Sequence, residues 1–214
     1  ALGSGSTAIG QDSIAIGDSS ADTGAIAMGR FSSAGVRGVA VGYNAVTSDN
    51  SVAIGDNSYA GVGAIQIGSS TVAGNRSNHT GAFRRGSTLI GEDANSQGLY
   101  STVIGNGNNL LVNQNILAQG QAIPFLGLDG KFVAQGAFTS LLGAYNTVGT
   151  RGTSASDTTT NNRVYSGVAV TVAGSANNVQ DSNGVYVAGY GNKITNSYRE
   201  NIDVSKILEQ ANSS

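Results

Sequence analysis

A short apolar triplet closed by glycine recurs along this chain at nearly constant spacing, and few folds can accommodate such a pattern. Five regular copies are Ile14-Ala15-Ile16-Gly17, Ile26-Ala27-Met28-Gly29, Val39-Ala40-Val41-Gly42, Val52-Ala53-Ile54-Gly55 and Ile65-Gln66-Ile67-Gly68. Their closing glycines are 12, 13, 13 and 13 residues apart. Later and looser copies end at Gly91, Gly105, Gly143, Gly174 and Gly189. A repeat of fixed short period predicts a solenoid of stacked coils.

Each triplet alternates large, small and large side chains, and a period of two indicates a β-strand. The glycine that follows permits positive φ, so the chain can turn there. The polar segments between triplets carry a small apolar residue, which indicates a second short strand: Ala21, Ala34, Ala45 and Ala60. A coil of 13 or 14 residues has room for only two strands and two turns. The sequence therefore predicts an all-β fold, a two-layered parallel β-solenoid.

The alternation also leads to a prediction about which face of the triplet strand is buried. β-Branched residues suit a buried face, so we expect an interior of stacked Ile and Val. The central column would then face away from the interior: Ala15, Ala27, Ala40 and Ala53, with Gln66 as the exception. An outward column of alanine predicts close approach by another chain. A roll this thin buries little surface per residue, so oligomerisation is expected to stabilise it.

The stretch Asn50-Ser51-Val52-Ala53-Ile54-Gly55-Asp56-Asn57-Ser58 resembles the NSVAIGxxS head repeat of the YadA-like trimeric autotransporter adhesins, and related copies lie at residues 12–20, 24–29 and 37–42. The resemblance implies a left-handed parallel β-roll with three chains packed around a common axis. It also implies the exposed head of a secreted fibre on the bacterial cell surface. The resemblance further implies a stalk and an outer-membrane anchor C-terminal to this sequence. Contact with a membrane is expected only through that anchor.

Irregular stretches divide the chain, and they predict its organisation. Regular repeats cover 1–109, with a loop insertion at about 69–86. Residues 110–139 form a second insertion, in which Asp129-Gly130 between apolar runs predicts a β-hairpin. Degenerate repeats occupy 140–199, with a loop at about 149–163. At 200–214, Val204, Leu208 and Ala211 follow heptad spacing, as at the start of a neck or coiled-coil stalk.

The composition argues against catalysis, cofactors and nucleic acid. The chain has no Cys and a single His, so it lacks thiolate ligands and a cysteine nucleophile, and only His79 could serve a Ser-His-Asp triad. A net charge of −2 with 11 Lys and Arg gives no basic footprint for DNA or RNA. We therefore expect a non-enzymatic protein without metal or cofactor, although paired carboxylates from distant coils stay open.

These observations favour the head of a homotrimeric adhesin. Its ligand would be a host matrix protein such as collagen or fibronectin, or a surface component of another microbe. The resemblance to this family implies that the repeat motif contacts collagen. The insertions are alternative sites of ligand contact. The candidate ligand-binding residues are Asn50, Ser51, Val52, Ala53, Ile54, Gly55, Ser58, Arg76, His79, Arg84, Arg85, Pro124 and Phe125. The alternatives are a structural spacer in a longer fibre, and a phage-type β-helical fibre with glycan-cleaving activity.

Overall fold

A computed structural model describes residues 1–70, 86–96, 98, 100–110, 138–149, 169–180, 182, 184–195 and 197. These residues form strands, turns and bends and contain no helix, so the predicted all-β fold is confirmed. The predicted hairpin around Asp129-Gly130 and the predicted neck at 200–214 lie outside the described residues. Most of the predicted loops at 69–86 and 149–163 also lie outside them.

Within the described residues, twenty short strands form one long sheet and two smaller sheets. The ten-stranded sheet contains β2 (Ile14–Ile16), β4 (Ile26–Met28), β6 (Val39–Val41), β8 (Val52–Ile54), β10 (Ile65–Ile67), β11 (Thr88–Ile90), β13 (Thr102–Ile104), β15 (Ser140–Ala144), β17 (Thr171–Ser175) and β19 (Tyr186–Tyr190). One five-stranded sheet contains β1 (Thr7–Ala8), β3 (Ser20–Ala21), β5 (Ser33–Ala34), β7 (Val46–Thr47) and β9 (Tyr59–Ala60). The other contains β12 (Asn95–Ser96), β14 (Asn109–Leu110), β16 (Thr147–Gly149), β18 (Asn178–Gln180) and β20 (Lys193–Thr195).

Each described strand pairs in parallel with its equivalent in a neighbouring coil, and the triplets are in register. Ala27 pairs with Ala15 and with Ala40, and Ala40 pairs with Ala53. The register continues into the degenerate repeats, where Leu141 pairs with Val103 and with Val172. The chain thus alternates between the ten-stranded sheet and the opposite layer once per coil, as the two-layered solenoid predicts.

Each coil turns at two corners, which we call the glycine corner and the return corner. The glycine corner follows the triplet. Its glycine has positive φ, and at Gly42 (φ 136°) an added Cβ would lie 2.5 Å from the carbonyl oxygen of Gly55 in the next coil. The return corner leads into the next triplet through one residue with φ between 49° and 71°. These residues are Asp12, Gly24, Arg37, Asn50, Gly63, Gly86, Tyr100, Phe138, Ala169 and Gly184.

The predicted orientation of the triplet is wrong, because the central residues form the core. Ala15, Ala27, Ala40 and Ala53 are at most 1% exposed, whereas Ile54 is 38% exposed. In the first coils the opposite layer also contributes mainly alanine, including Ala21, Ala34 and Ala60. Alanine from both layers and from the corners, including Ala25, Ala45 and Ala64, fills this narrow space at close packing.

The interior changes from the sixth triplet onward. Leu89, Val103, Leu141, Val172 and Val187 occupy the central column, where the first coils have alanine. The strands of the last three triplets lengthen to five residues. A second difference lies at the glycine corner, where buried asparagine replaces the serine or alanine of the first coils: Asn108, Asn146, Asn177 and, half-buried, Asn192. The roll is therefore continuous but has two kinds of core.

Candidate functional site

The outer face of the ten-stranded sheet carries an apolar strip, formed by the third residue of each triplet. Its members are in register along eight successive strands: Ile16, Met28, Val41, Ile54, Ile67, Ile90, Ile104 and Leu142. Six of these side chains, beginning with Met28, are at least 38% exposed. An uninterrupted row of large apolar side chains on a protein surface marks an interaction site.

The neighbouring column, formed by the first residue of each triplet, changes its chemistry along the roll. It begins with Ile14, Ile26, Val39, Val52 and Ile65, and continues with Thr88, Thr102, Ser140 and Thr171. The outer face is therefore apolar across both columns in the first five triplets and apolar only on the strip in the next three.

The residues of the predicted collagen motif are divided between the interior and the surface. Ser51 and Ser58 are buried, and their hydroxyl groups donate to the carbonyl oxygens of Ser48 (2.6 Å) and Gly55 (2.7 Å). Ala53 belongs to the core, and Gly55 has a φ of 128°. Asn50 at the return corner and Ile54 in the apolar strip are exposed, and Val52 is half-buried. Direct contact with a ligand is thus open mainly to Asn50, Val52 and Ile54.

After each of its three longer gaps, the described chain resumes at the return corner. The described residues stop at Ser70 in the glycine corner and at the strand ends Leu110 and Gly149, and they resume at Gly86, Phe138 and Ala169. The triplet strands that follow these gaps are β11, β15 and β17 of the ten-stranded sheet, and β13 lies between β11 and β15. The candidates Arg76, His79, Arg84, Arg85, Pro124 and Phe125 belong to the first two gaps and lie outside the described residues, so their role stays a prediction.

Aromatic residues at the two corners are functional candidates that the sequence reasoning missed. At the return corner Tyr100 and Phe138 stack, with ring centroids 5.9 Å apart and planes inclined by 12°. At the glycine corner Phe31 and Tyr145 stand where other coils have Asn44, Asn57 or glycine. Aligning the repeats could have identified Phe31 and Tyr145, because both occupy a turn position with positive φ that favours Asn or Gly.

The described residues do not bring together the groups that metal chemistry would require. No three His, Asp or Glu side chains among them are placed so that they could hold a metal ion. None of the described segments is a helix long and apolar enough to cross a membrane. The surface features of the described roll are thus the apolar strip, the corner aromatics and the edges where the gaps open.

Comparison with known families agrees with the geometry of the first coils. The chain matches the YadA head domain repeat (2 copies) over residues 1–20, 33–58 and 47–65. The matched residues include β1, β2, β5 to β9 and the first residue of β10 but not β4; they make up about a quarter of the chain and end at the coil after which the core changes. No curated protein matches the sequence.

Proposed function

Because this chain carries a YadA-like head domain of the trimeric autotransporter adhesins, we propose that it is the attachment head of a bacterial surface fibre. It would bind host matrix or cells, or other microbes, through a non-catalytic trimer of β-rolls. Domains of this family belong to surface-exposed adhesins, which supports a location at the cell surface. Anchoring in the outer membrane would be the task of a segment beyond this head.

The observation that carries the proposal is the apolar strip. Two further copies of this chain are the occupants that fit it, because the strip runs along the roll and the family forms trimers. The contact between chains is then made by the large outer residues of the triplets, such as Ile54 and Ile67, and not by the alanine column, which is buried inside each chain. Burying these exposed side chains would stabilise the assembly by about 25 cal/mol per Å² of apolar surface.

Ligand binding is proposed to rely on many weak contacts multiplied by the trimer and by the copies on one cell. A host matrix protein such as collagen or fibronectin is the proposed partner. The return corner, where the described chain resumes after each longer gap, and the exposed Asn50 are the proposed contact surfaces. Insertions in solenoids commonly leave one face and often form the binding face.

A structural spacer is the second candidate function, and one observation favours it. Ser51, Ala53 and Ser58 of the motif are buried and serve the roll itself. A motif that is needed for folding can recur without binding anything, so its presence alone does not require a ligand.

Two measurements on the whole chain test the proposal. Light scattering should give the mass of three chains, and a single-chain mass at micromolar concentration would contradict the trimer. The chain should also bind immobilised collagen or fibronectin, or cells, and deletion of residues 75–85 or 111–137, which spares the core residue Leu110, should reduce that binding. A trimer that binds none of these surfaces supports the spacer, and release of reducing ends from a polysaccharide panel would support the glycan-cleaving fibre instead.

A further inference from the structure

An exposed cluster of three side chains lies at the glycine corner of two adjacent coils. The guanidinium carbon of Arg30 is 4.5 Å from the centroid of the Phe31 ring. The Phe31 and Tyr43 rings are 5.7 Å apart at an interplanar angle of 68°, an edge-to-face contact. The two rings are 44% and 46% exposed. All three residues belong to the part of the roll that is described without a gap.

Phe31 occupies a position that does not favour an aromatic residue. Its φ is 62°, and the equivalent residues of the next two coils are Asn44 and Asn57, each with a φ of 54°. Asparagine tolerates this left-handed conformation, whereas a bulky residue is strained there. A strained residue that also exposes its ring to solvent contributes little to the core, which points to a role at the surface.

Arg30 keeps its charge unpaired among the residues that the structure describes. Its side chain is exposed and has no carboxylate partner within ion-pair distance there. A guanidinium stacked on a ring still presents its N–H donors at its edge, and it binds a planar carboxylate through two parallel hydrogen bonds. The cluster thus combines an anion receptor with two exposed aromatic surfaces.

The neighbouring charges limit the size of the anion. Asp18 and Asp56 occupy the same position as Arg30 and Tyr43 in the coils on either side. Adjacent strands are about 4.8 Å apart, so both carboxylates lie within about 10 Å of the cluster. They would repel an extended polyanion and tolerate a single carboxylate centred on Arg30.

The backbone at this corner disfavours a peptide as the ligand. The amide of Phe31 donates to the Asp18 carbonyl (2.6 Å), that of Tyr43 to the Asp56 carboxylate (3.0 Å) and that of Asn44 to the Arg30 carbonyl (2.9 Å). Extended peptides obtain much of their affinity from main-chain hydrogen bonds, and these donors are already used. A ring-shaped ligand recognised through one charged substituent does not need them.

From this geometry we propose that Arg30, Phe31 and Tyr43 bind a glycan terminus whose sugar carries a carboxylate. The carboxylate accepts from Arg30, and the C–H face of the sugar packs on the aromatic rings. The proposal deepens the proposed adhesin function by naming a ligand class. It rests on that function only for its biological setting, because the cluster lies within one chain.

The test is a titration of the whole chain with 3′-sialyllactose, followed by saturation-transfer NMR, with lactose as the neutral comparison. We expect transfer to the carboxylated sugar and little to lactose. Arg30→Gln and Phe31→Asn should each weaken binding by about tenfold or more. Phe31→Asn introduces the residue of the next two coils, so the variant should fold. Arg37→Gln at the return corner is the matched control and should bind as the original does.

Two results would overturn the site. One is the absence of sialyllactose binding by the folded chain, and the other is unchanged binding by Phe31→Asn and Arg30→Gln. Stronger binding of a glutamate-containing tetrapeptide than of the sugar would also reject the glycan assignment. Light scattering on the same sample separates these outcomes from failure of the proposed trimer, since a monomer that binds the sugar leaves this site intact.

Discussion

Single residues that break the repeat show how tightly the roll is packed. Thr47 occupies the inward position that Ala21, Ala34 and Ala60 fill in neighbouring coils, and its buried hydroxyl has no hydrogen-bond partner among the described residues. Ala45, the expected strand residue of that coil, lies buried at the corner instead. Gly38 faces Thr47, and a Cβ there would collide with the hydroxyl oxygen.

We expect Thr47→Val to raise the free energy of unfolding by about 1 kcal/mol, because it replaces an unsatisfied buried hydroxyl with a methyl group of similar size. Urea denaturation at fixed protein concentration measures the change. Thr7→Val makes the same change at an exposed site of the same sheet, and should stay within about 0.5 kcal/mol. If Thr47→Val instead lowered the free energy of unfolding, the Thr47 hydroxyl would form a hydrogen bond in solution, which would contradict the prediction.

Gln66 is the other exception at this scale, and the structure explains it. The sequence places it in an outward column, but it is 1% exposed and lies in the core. Its side-chain oxygen accepts a hydrogen bond from the amide of Tyr59 (2.9 Å). An amide side chain among alanines is stable there because it is hydrogen-bonded to the backbone.

At the scale of elements, a ladder of asparagine amides connects the later coils. The side chain of Asn146 donates to Asn108 Oδ1 (3.0 Å) and to the carbonyl of Gly174 (2.8 Å). In turn, its Oδ1 accepts from the amide and the side chain of Asn177 (3.1 and 2.9 Å). Asn192 continues the ladder on Asn177. Each asparagine side chain thereby forms hydrogen bonds with backbone groups at the glycine corner of the next coil.

Asn146→Ala should lower the free energy of unfolding by about 3 kcal/mol, because it leaves several buried donors and acceptors unpaired. The measurement is again urea denaturation. Asn106→Ala is the control, since Asn106 is exposed and its Oδ1 accepts only from the Glu92 amide (3.1 Å) among the described contacts. Its cost should be below about 1 kcal/mol. Equal losses in the two variants would mean that the ladder adds nothing beyond a surface turn.

At the scale of the whole molecule, the outer face of the ten-stranded sheet decides how chains assemble. The apolar strip is continuous, whereas the column beside it turns from Ile and Val to Thr and Ser after Ile65. If the chains were out of register or antiparallel, Thr and Ser hydroxyl groups would face Ile or Val of a neighbouring chain and lose their hydrogen bonds. Parallel chains in register avoid this loss, because like segments then lie together. The composition of this face thus favours a parallel trimer with the chains in register.

Ile54→Asp should convert the proposed trimer to single chains. The substitution places an unpaired carboxylate within the apolar strip, and its burial should raise the dissociation constant at least about a hundredfold. Mass by light scattering over a concentration series is the readout. Ser33→Asp adds the same charge to the opposite layer of the roll and should leave the mass unchanged. A trimer that survives Ile54→Asp would show that another face joins the chains.

The sequence by itself determined the coil. The spacing of the glycines specified two strands per coil, the alternation specified β-structure, and the NSVAIGxxS-like stretch pointed to the family that the comparison supports. These features are local, so a reading of neighbouring residues finds them. The residues of the apolar strip were also identifiable, although they were assigned to the interior.

Only the tertiary structure decided which face of each triplet is buried. Alternation shows that two faces differ, but both Ala15 and Ile16 suit a sheet, and the choice depends on the space between the layers. In the first coils that space is narrow because the corners of a 13-residue coil are tight, so the methyl groups lie inside and the larger side chains outside. The cluster of Arg30, Phe31 and Tyr43 has the same origin, since Tyr43 is 12 residues from Phe31 in sequence and is brought beside it by the stacking of one coil on the next.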